Sequence, residues 1–105
     1  MGRWSKKTKP EQARERFNKV AGNYIITYND RSVYTGRQSE GSDRIGAHLR
    51  KHPRSVKSVE FMEDRSDSEC VRAQRELNTL ERLEDAGKTV RNQIRPSQPS
   101  DCDCD

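Results

Sequence analysis

Asn23-Tyr-Ile-Ile-Thr-Tyr28, Asn29-Asp-Arg-Ser32 and Val33-Tyr-Thr-Gly36 are the residues whose reading decides the fold. The first segment is rich in aromatic and β-branched residues, which suit a pleated, half-buried surface. The second reads as a turn, with Asn29, Asp30 and Ser32 of turn-forming type. The third resumes strand character, and Gly36 is expected to end it. The stretch therefore reads as a β-hairpin. The period of two places Tyr24, Ile26 and Tyr28 on one face, and Ile25 and Thr27 on the other.

C-terminal to the hairpin, Gln38-Ser-Glu-Gly41 reads as a loop. Ser42 is expected to cap a helix that runs to Lys51. His52-Pro53 ends that helix, because the residue before proline avoids the helical region. Residues 55–62 read as a third strand, with Val59 and Phe61 set against Lys57, Ser58 and Glu60. Ser66-Asp-Ser-Glu69 matches a capping box and opens the longest helix, which extends to Glu84 and is stopped by Gly87. Val90 to Ile94 is expected to add a short extended piece. From Pro96 onward the chain reads as a disordered acidic tail. The order is β-β-α-β-α, an α+β class: a small antiparallel three-stranded sheet flanked by helices.

N-terminal to the hairpin lies a basic arm. Residues 1–20 carry Arg3, Lys6, Lys7, Lys9, Arg14, Arg16 and Lys19 against Glu11 and Glu15. Lys9-Pro10-Glu11 can open a helix, since proline suits the first helical turn. Residues 11–20 read either as a helix, with Ala13, Phe17 and Val20 on a narrow apolar face, or as disorder. The expected organisation is an arm over 1–20, a domain over 21–95 and a tail over 96–105.

The 105 residues suit one domain, and with 29% hydrophobic residues the core is expected from residues 22–84. Lys and Arg number 21 against 17 acidic residues, and this excess, concentrated in the arm, points to a polyanionic partner, most often nucleic acid. No apolar run is long enough to span a membrane. Met1-Gly-Arg-Trp-Ser-Lys-Lys lacks the apolar segment of a secretory signal. Cys70, Cys102 and Cys104 do not form a disulfide framework, so an intracellular, reducing compartment is expected.

The long helix carries one oddity. Stepping about 100° per residue from Ala73 brings Cys70, Leu77, Leu80 and Leu83 onto one stripe. Glu69 and Glu76 fall inside it. A carboxylate on an apolar face is costly unless it is paired or binds a cation. Glu69 is explained by the capping box. Glu76 is either a stripe-edge residue whose head reaches water or a functional group. On the shorter helix, Arg44 and His48 are four apart and share one face, beside a core pair, Ile45 and Leu49. Arginine presents a fork that suits phosphate, and histidine adds a hydrogen-bonding or proton-transfer group near neutral pH. The same pair also fits an ordinary solvated helix face. Tyr24, Tyr28 and Tyr34 all lie in the hairpin. A phenol can take a proton from an attacking water if a nearby cation lowers its pKa. Aromatic residues also favour strands for packing alone.

Taken together these groups resemble a known order. Gly22-Asn23-Tyr24, nine residues, then Tyr34-Thr35-Gly36 is similar to the signature of the GIY-YIG nucleases, with Asn23 and Thr35 in place of isoleucine. Arg44-Ile-Gly-Ala-His48 resembles the helical Arg-x-x-x-His of that family. Glu76 stands where the family has its metal-binding glutamate, with Glu69 as competitor. Asn92 resembles the asparagine that follows that helix. The resemblance covers residues 22–93 and implies the β-β-α-β-α core already read from the sequence.

It also implies hydrolysis of DNA phosphodiester bonds with one divalent ion, Mg²⁺ or Mn²⁺, held by Glu76. Tyr24 would be the general base, Arg44 would neutralise phosphoryl charge, and Tyr34 and His48 would position or assist the nucleophile. Arg37 and Asn92 are expected to bind substrate. No organic cofactor is implied. Weak sequence preference or selectivity for a DNA shape is expected, since no added domain reads bases. The alternative is a non-catalytic nucleic-acid-binding module with the same fold.

Overall fold

Residues 22–28 form the centre of the sheet because they pair on both sides. A computed structural model describes residues 4–64 and 69–91. The elements are α1 (Pro10–Arg16), β1 (Gly22–Tyr28), β2 (Val33–Gln38), α2 (Arg44–Lys51), β3 (Val56–Glu63) and α3 (Glu69–Asp85). The sheet has the order β2-β1-β3, antiparallel throughout. The α+β core with a three-stranded antiparallel sheet is therefore present. The capping box at 66–69, Asn92 and the tail from Pro96 lie outside the described residues, as do the side chains of Glu69 and Cys70.

The pleat sorts the two layers. Tyr24, Ile26 and Tyr28 of β1 join Val59 and Phe61 of β3, Ala13 and Phe17, and Ile45 and Leu49 of α2 in one buried cluster. That is the α1/α2 face. The other face presents Asn23, Ile25, Thr35 and Arg37, and α3 covers it over β2 and β1. Ala73 and Leu80 are its fully buried contacts, as the stripe implied. Leu77 and Leu83 are only half-buried, and Thr79 is buried in their company.

Three expectations need correction. First, β2 does not end at Gly36 but runs on to Gln38, because Gly36 remains in register opposite Tyr24. The Gln38 side chain is then buried and joins three segments. Its amide donates to the carbonyls of Phe17 and Val20 at 2.8 Å, and its oxygen accepts from Ile45 N at 3.1 Å. Second, the cap of α2 is Asp43 rather than Ser42. Asp43 Oδ1 accepts from Gly46 N at 3.0 Å, while the Ser42 hydroxyl turns back to the carbonyl of Ser39.

Third, the N-terminal segment is no separate arm. Of helix and disorder, the helix forms, from Pro10 to Arg16. Ala13 is fully buried, and Phe17 stacks on Phe61 with ring centroids 4.6 Å apart. Thr8 exchanges backbone hydrogen bonds with Val59 at 2.8 and 2.9 Å, and Ser5 N donates to Phe61 O at 2.7 Å. These bonds occupy the free edge of β3. The physical reason is that a short helix gains stability from tertiary packing more than from propensity, and three apolar residues suffice here. Ala13, Phe17 and Val20 do pack on the core, but the helix ends at Arg16 rather than running to residue 20, so Phe17 and Val20 reach it from beyond the helix.

Candidate active site

Tyr24 and Gly36 face each other across β1 and β2, and β2 is the edge strand of the three, its Val33 end bridged to Val90 by bonds from Val33 N to Thr89 O at 2.9 Å and from Arg91 N to Val33 O at 2.7 Å. A Cβ on Gly36 would sit 2.5 Å from both the Cζ and the hydroxyl of Tyr24. Glycine is required at Gly36 so that the phenol can lie across the edge strand. Gly22 has a similar role, since a Cβ there would collide with the carbonyl of Met62 and the ring of Phe61. Both glycines thus admit a close approach rather than a special backbone angle.

At this edge the two layers of the protein meet. From the α1/α2 face come Tyr24, Tyr34 and His48. The Tyr24 and Tyr34 centroids are 6.4 Å apart, and Tyr34 stacks on His48 at 4.7 Å. From the α3 face come Arg37 and Glu76, joined by a 2.8 Å ion pair between Nη1 and Oε2. Glu76 is nearly buried, its side chain 12% exposed. Arg44 is exposed on the first turn of α2. The charges of Glu76 and Arg44 both act on the Tyr24 phenol. The structure thus brings together Tyr24, Tyr34, Arg37, Arg44, His48 and Glu76. Asn92 lies outside the described residues.

Tyr24 and His48 are tuned in opposite senses. Burial raises the Tyr24 pKa well above the usual phenol range. Tyr34 and Glu76 raise it further, and Arg44 opposes them. Tyr24 is therefore a neutral phenol at rest. Burial also lowers His48, to about 4, and repulsion by His52, Lys51 and Arg91 adds to the effect. His48 is thus uncharged near neutrality. Its Nε2 is hydrogen-bonded to the Tyr28 hydroxyl, which burial keeps protonated.

Sequence reasoning missed the support behind His48. Tyr28 is buried, and the Arg91 guanidinium lies 3.7 Å above its ring. Arg91 also bonds Ser32 Oγ at 2.6 Å and Asp30 Oδ2 at 2.9 Å. The Ser32 hydroxyl, its N–H and Arg91 together lower Asp30 to about 2. His52 packs against both Tyr28 and His48. The clustering of three tyrosines in the hairpin was a signal for Tyr28. No spacing signal links Arg91 to a turn some sixty positions earlier.

One polar group in this region is unsatisfied. Asn23 is fully buried, and neither its Oδ1 nor its Nδ2 has a hydrogen-bond partner among the described residues. Thr35, at the other departure from the signature, donates to Tyr24 O at 3.0 Å and so braces the strand that carries the phenol.

The donor set bears on the metal that the resemblance implies. Among the described residues no group of three or more His, Cys, Asp or Glu could close a cage around an ion. A single shielded carboxylate, Glu76, beside phenols and guanidinium groups suits a hard cation that keeps most of its water. Comparison of the chain with protein-family models, with curated proteins and with solved structures returned no match.

Proposed function

We propose that the chain is a divalent-metal-dependent endonuclease that hydrolyses DNA phosphodiester bonds, with weak sequence preference or selectivity for a DNA shape. The observation that carries the reading is the meeting of two phenols, two guanidinium groups and one shielded carboxylate at the edge strand β2. Each has work in phosphodiester hydrolysis. Glu76 would hold Mg²⁺ or Mn²⁺, which when bound would supply Lewis-acid charge to the reacting phosphodiester. Arg44, exposed at the mouth, neutralises charge that builds on the phosphoryl oxygens.

Tyr24 takes the proton of the attacking water. The water oxygen bonds to phosphorus, the ester bond opposite breaks, and the leaving oxygen gains a proton from solvent. A neutral phenol must first lose its own proton to solvent. Two influences favour that loss: Arg44 lowers the Tyr24 pKa, and a cation on Glu76 cancels one of the charges that raise it. Arg37 is the internal counter-charge of Glu76 and is released towards phosphate when that carboxylate is otherwise neutralised. His48, held by Tyr28 and stacked on Tyr34, positions the Tyr34 ring.

One observation favours a second reading. Arg37 already neutralises Glu76, and the Tyr24 pKa is raised, as in a non-catalytic nucleic-acid-binding module. Incubation with plasmid and branched duplexes in Mg²⁺ separates the two. The nuclease nicks them, and Glu76→Ala and Tyr24→Phe abolish nicking. Salt-sensitive binding without nicking, indifferent to both substitutions, identifies the binding module.

A further inference from the structure

A cavity of about 460 Å³ opens on the α3 side of the sheet, away from Tyr24, Tyr34 and His48. Its apolar floor is Ile25, Val33 and Leu83. Around it stand four cations from four separate segments: Lys7, Arg31, Lys57 and Lys88. Glu60 is the single acid in the lining. All four cations are exposed, and none forms an ion pair among the described residues. Like charges gathered around a hollow raise the folding free energy unless a counter-charge joins them.

Arg31 adds an independent observation. It occupies the hairpin turn with φ of 72°, a conformation that glycine or asparagine adopts at lower cost. The turn thus keeps a strained backbone at a residue whose side chain lines the cavity.

We infer that this cavity is a second contact for the phosphates of DNA, holding a different segment of the substrate from the one at the cleavage edge. The chemistry favours a strand over a lone phosphate. The cations sit on flexible stems in solvent and come from the N-terminal segment, the turn, β3 and the chain after α3. Such groups neutralise successive phosphates along a polymer, each contact being screened by salt. Glu76 and Leu83 are seven residues apart, about 10 Å along the helix axis, so the cavity lies two turns from the cleavage carboxylate. The phenols lie on the other face of the sheet from the cavity, so a DNA that reaches both turns around the hairpin end or carries a branch. The inference rests on the nuclease reading for its substrate and supplies the shape selectivity that this reading leaves open.

The test is fluorescence anisotropy with a straight duplex and a three-way junction of equal length, in EDTA, over a KCl series. The proteins are wild type, Lys57→Glu/Lys88→Glu, and Arg44→Glu at the cleavage edge. Wild type is expected to bind the junction more tightly than the duplex. The double variant loses that preference, weakens roughly tenfold and lowers the magnitude of the salt slope by about two. Its melting temperature stays within a few degrees, since both lysines are exposed. Unchanged affinity and slope in the double variant, with Arg44→Glu still weakening binding, overturns the cavity and leaves the nuclease reading standing. Loss through the double variant in a protein that never nicks DNA keeps the cavity and removes the nuclease. Displacement of the junction by sub-millimolar adenosine monophosphate overturns the strand assignment in favour of a free nucleotide.

Discussion

His48 and Asn23 show how burial rewrites a residue's chemistry. His48 was read as a candidate proton-transfer group from its spacing to Arg44, and that reading used the ordinary imidazole pKa. Packing against Tyr28, Tyr34 and His52 removes water from the ring and holds it neutral. An NMR titration of the His48 ring is expected to give a midpoint near 4. The sign for stability follows. The folded pKa lies below the unfolded value of about 6.5, so the unfolded chain binds the proton first. Stability is then fully present above that value and is lost as pH falls from about 6.5 towards 4. A midpoint at 6.5 would contradict the packing. Asn23 is the converse case, a buried amide whose atoms have no partner among the described residues. Asn23→Val is expected to stabilise the fold by about 1–3 kcal/mol in denaturant unfolding, because it removes an uncompensated desolvation cost. A loss of stability would mean that the amide is satisfied.

At the scale of elements, the hairpin and its faces were legible because a period of two leaves few alternatives. The helix of Arg44 and His48 was legible from Ile45 and Leu49. What failed was punctuation. Gly36 looked like a strand end but lies inside β2, since its missing side chain serves Tyr24 rather than a turn. Gly36→Ala, which meets the phenol at 2.5 Å, is therefore expected to displace Tyr24. In the nuclease reading this lowers cleavage by 100-fold or roughly so, as loss of a positioned base does. Cleavage at wild-type rate would separate Gly36 from the site. The N-terminal residues failed as an arm because charge dominates their composition, while three apolar residues decide their packing. Phe17→Ala is expected to cost about 3 kcal/mol by denaturant unfolding, from the lost stack on Phe61. A change under 1 kcal/mol would restore the view of a loose arm.

For the molecule as a whole, the sheet acts as a partition whose edge strand β2 joins two chemistries. Phenols and imidazole approach from one side, and the Arg37–Glu76 pair approaches from the other. The sequence order of these groups suggested a common site, yet their meeting at an edge strand depends on the strand order β2-β1-β3, which spacing does not encode. The Tyr28–Arg91 contact and the basic cavity were equally invisible, because each joins segments far apart in the chain. No described helix is long and apolar enough to cross a membrane. The central claim is that the edge cleft cleaves DNA through Glu76 and Tyr24. Its most direct test is single-turnover cleavage of an end-labelled duplex or junction in Mg²⁺, comparing wild type with Glu76→Ala and Tyr24→Phe of matched melting temperature. The account predicts cleavage by wild type that EDTA stops, with a fall of at least about 100-fold in each variant. Equal rates in all three proteins, or no cleavage of any substrate by wild type, would contradict it.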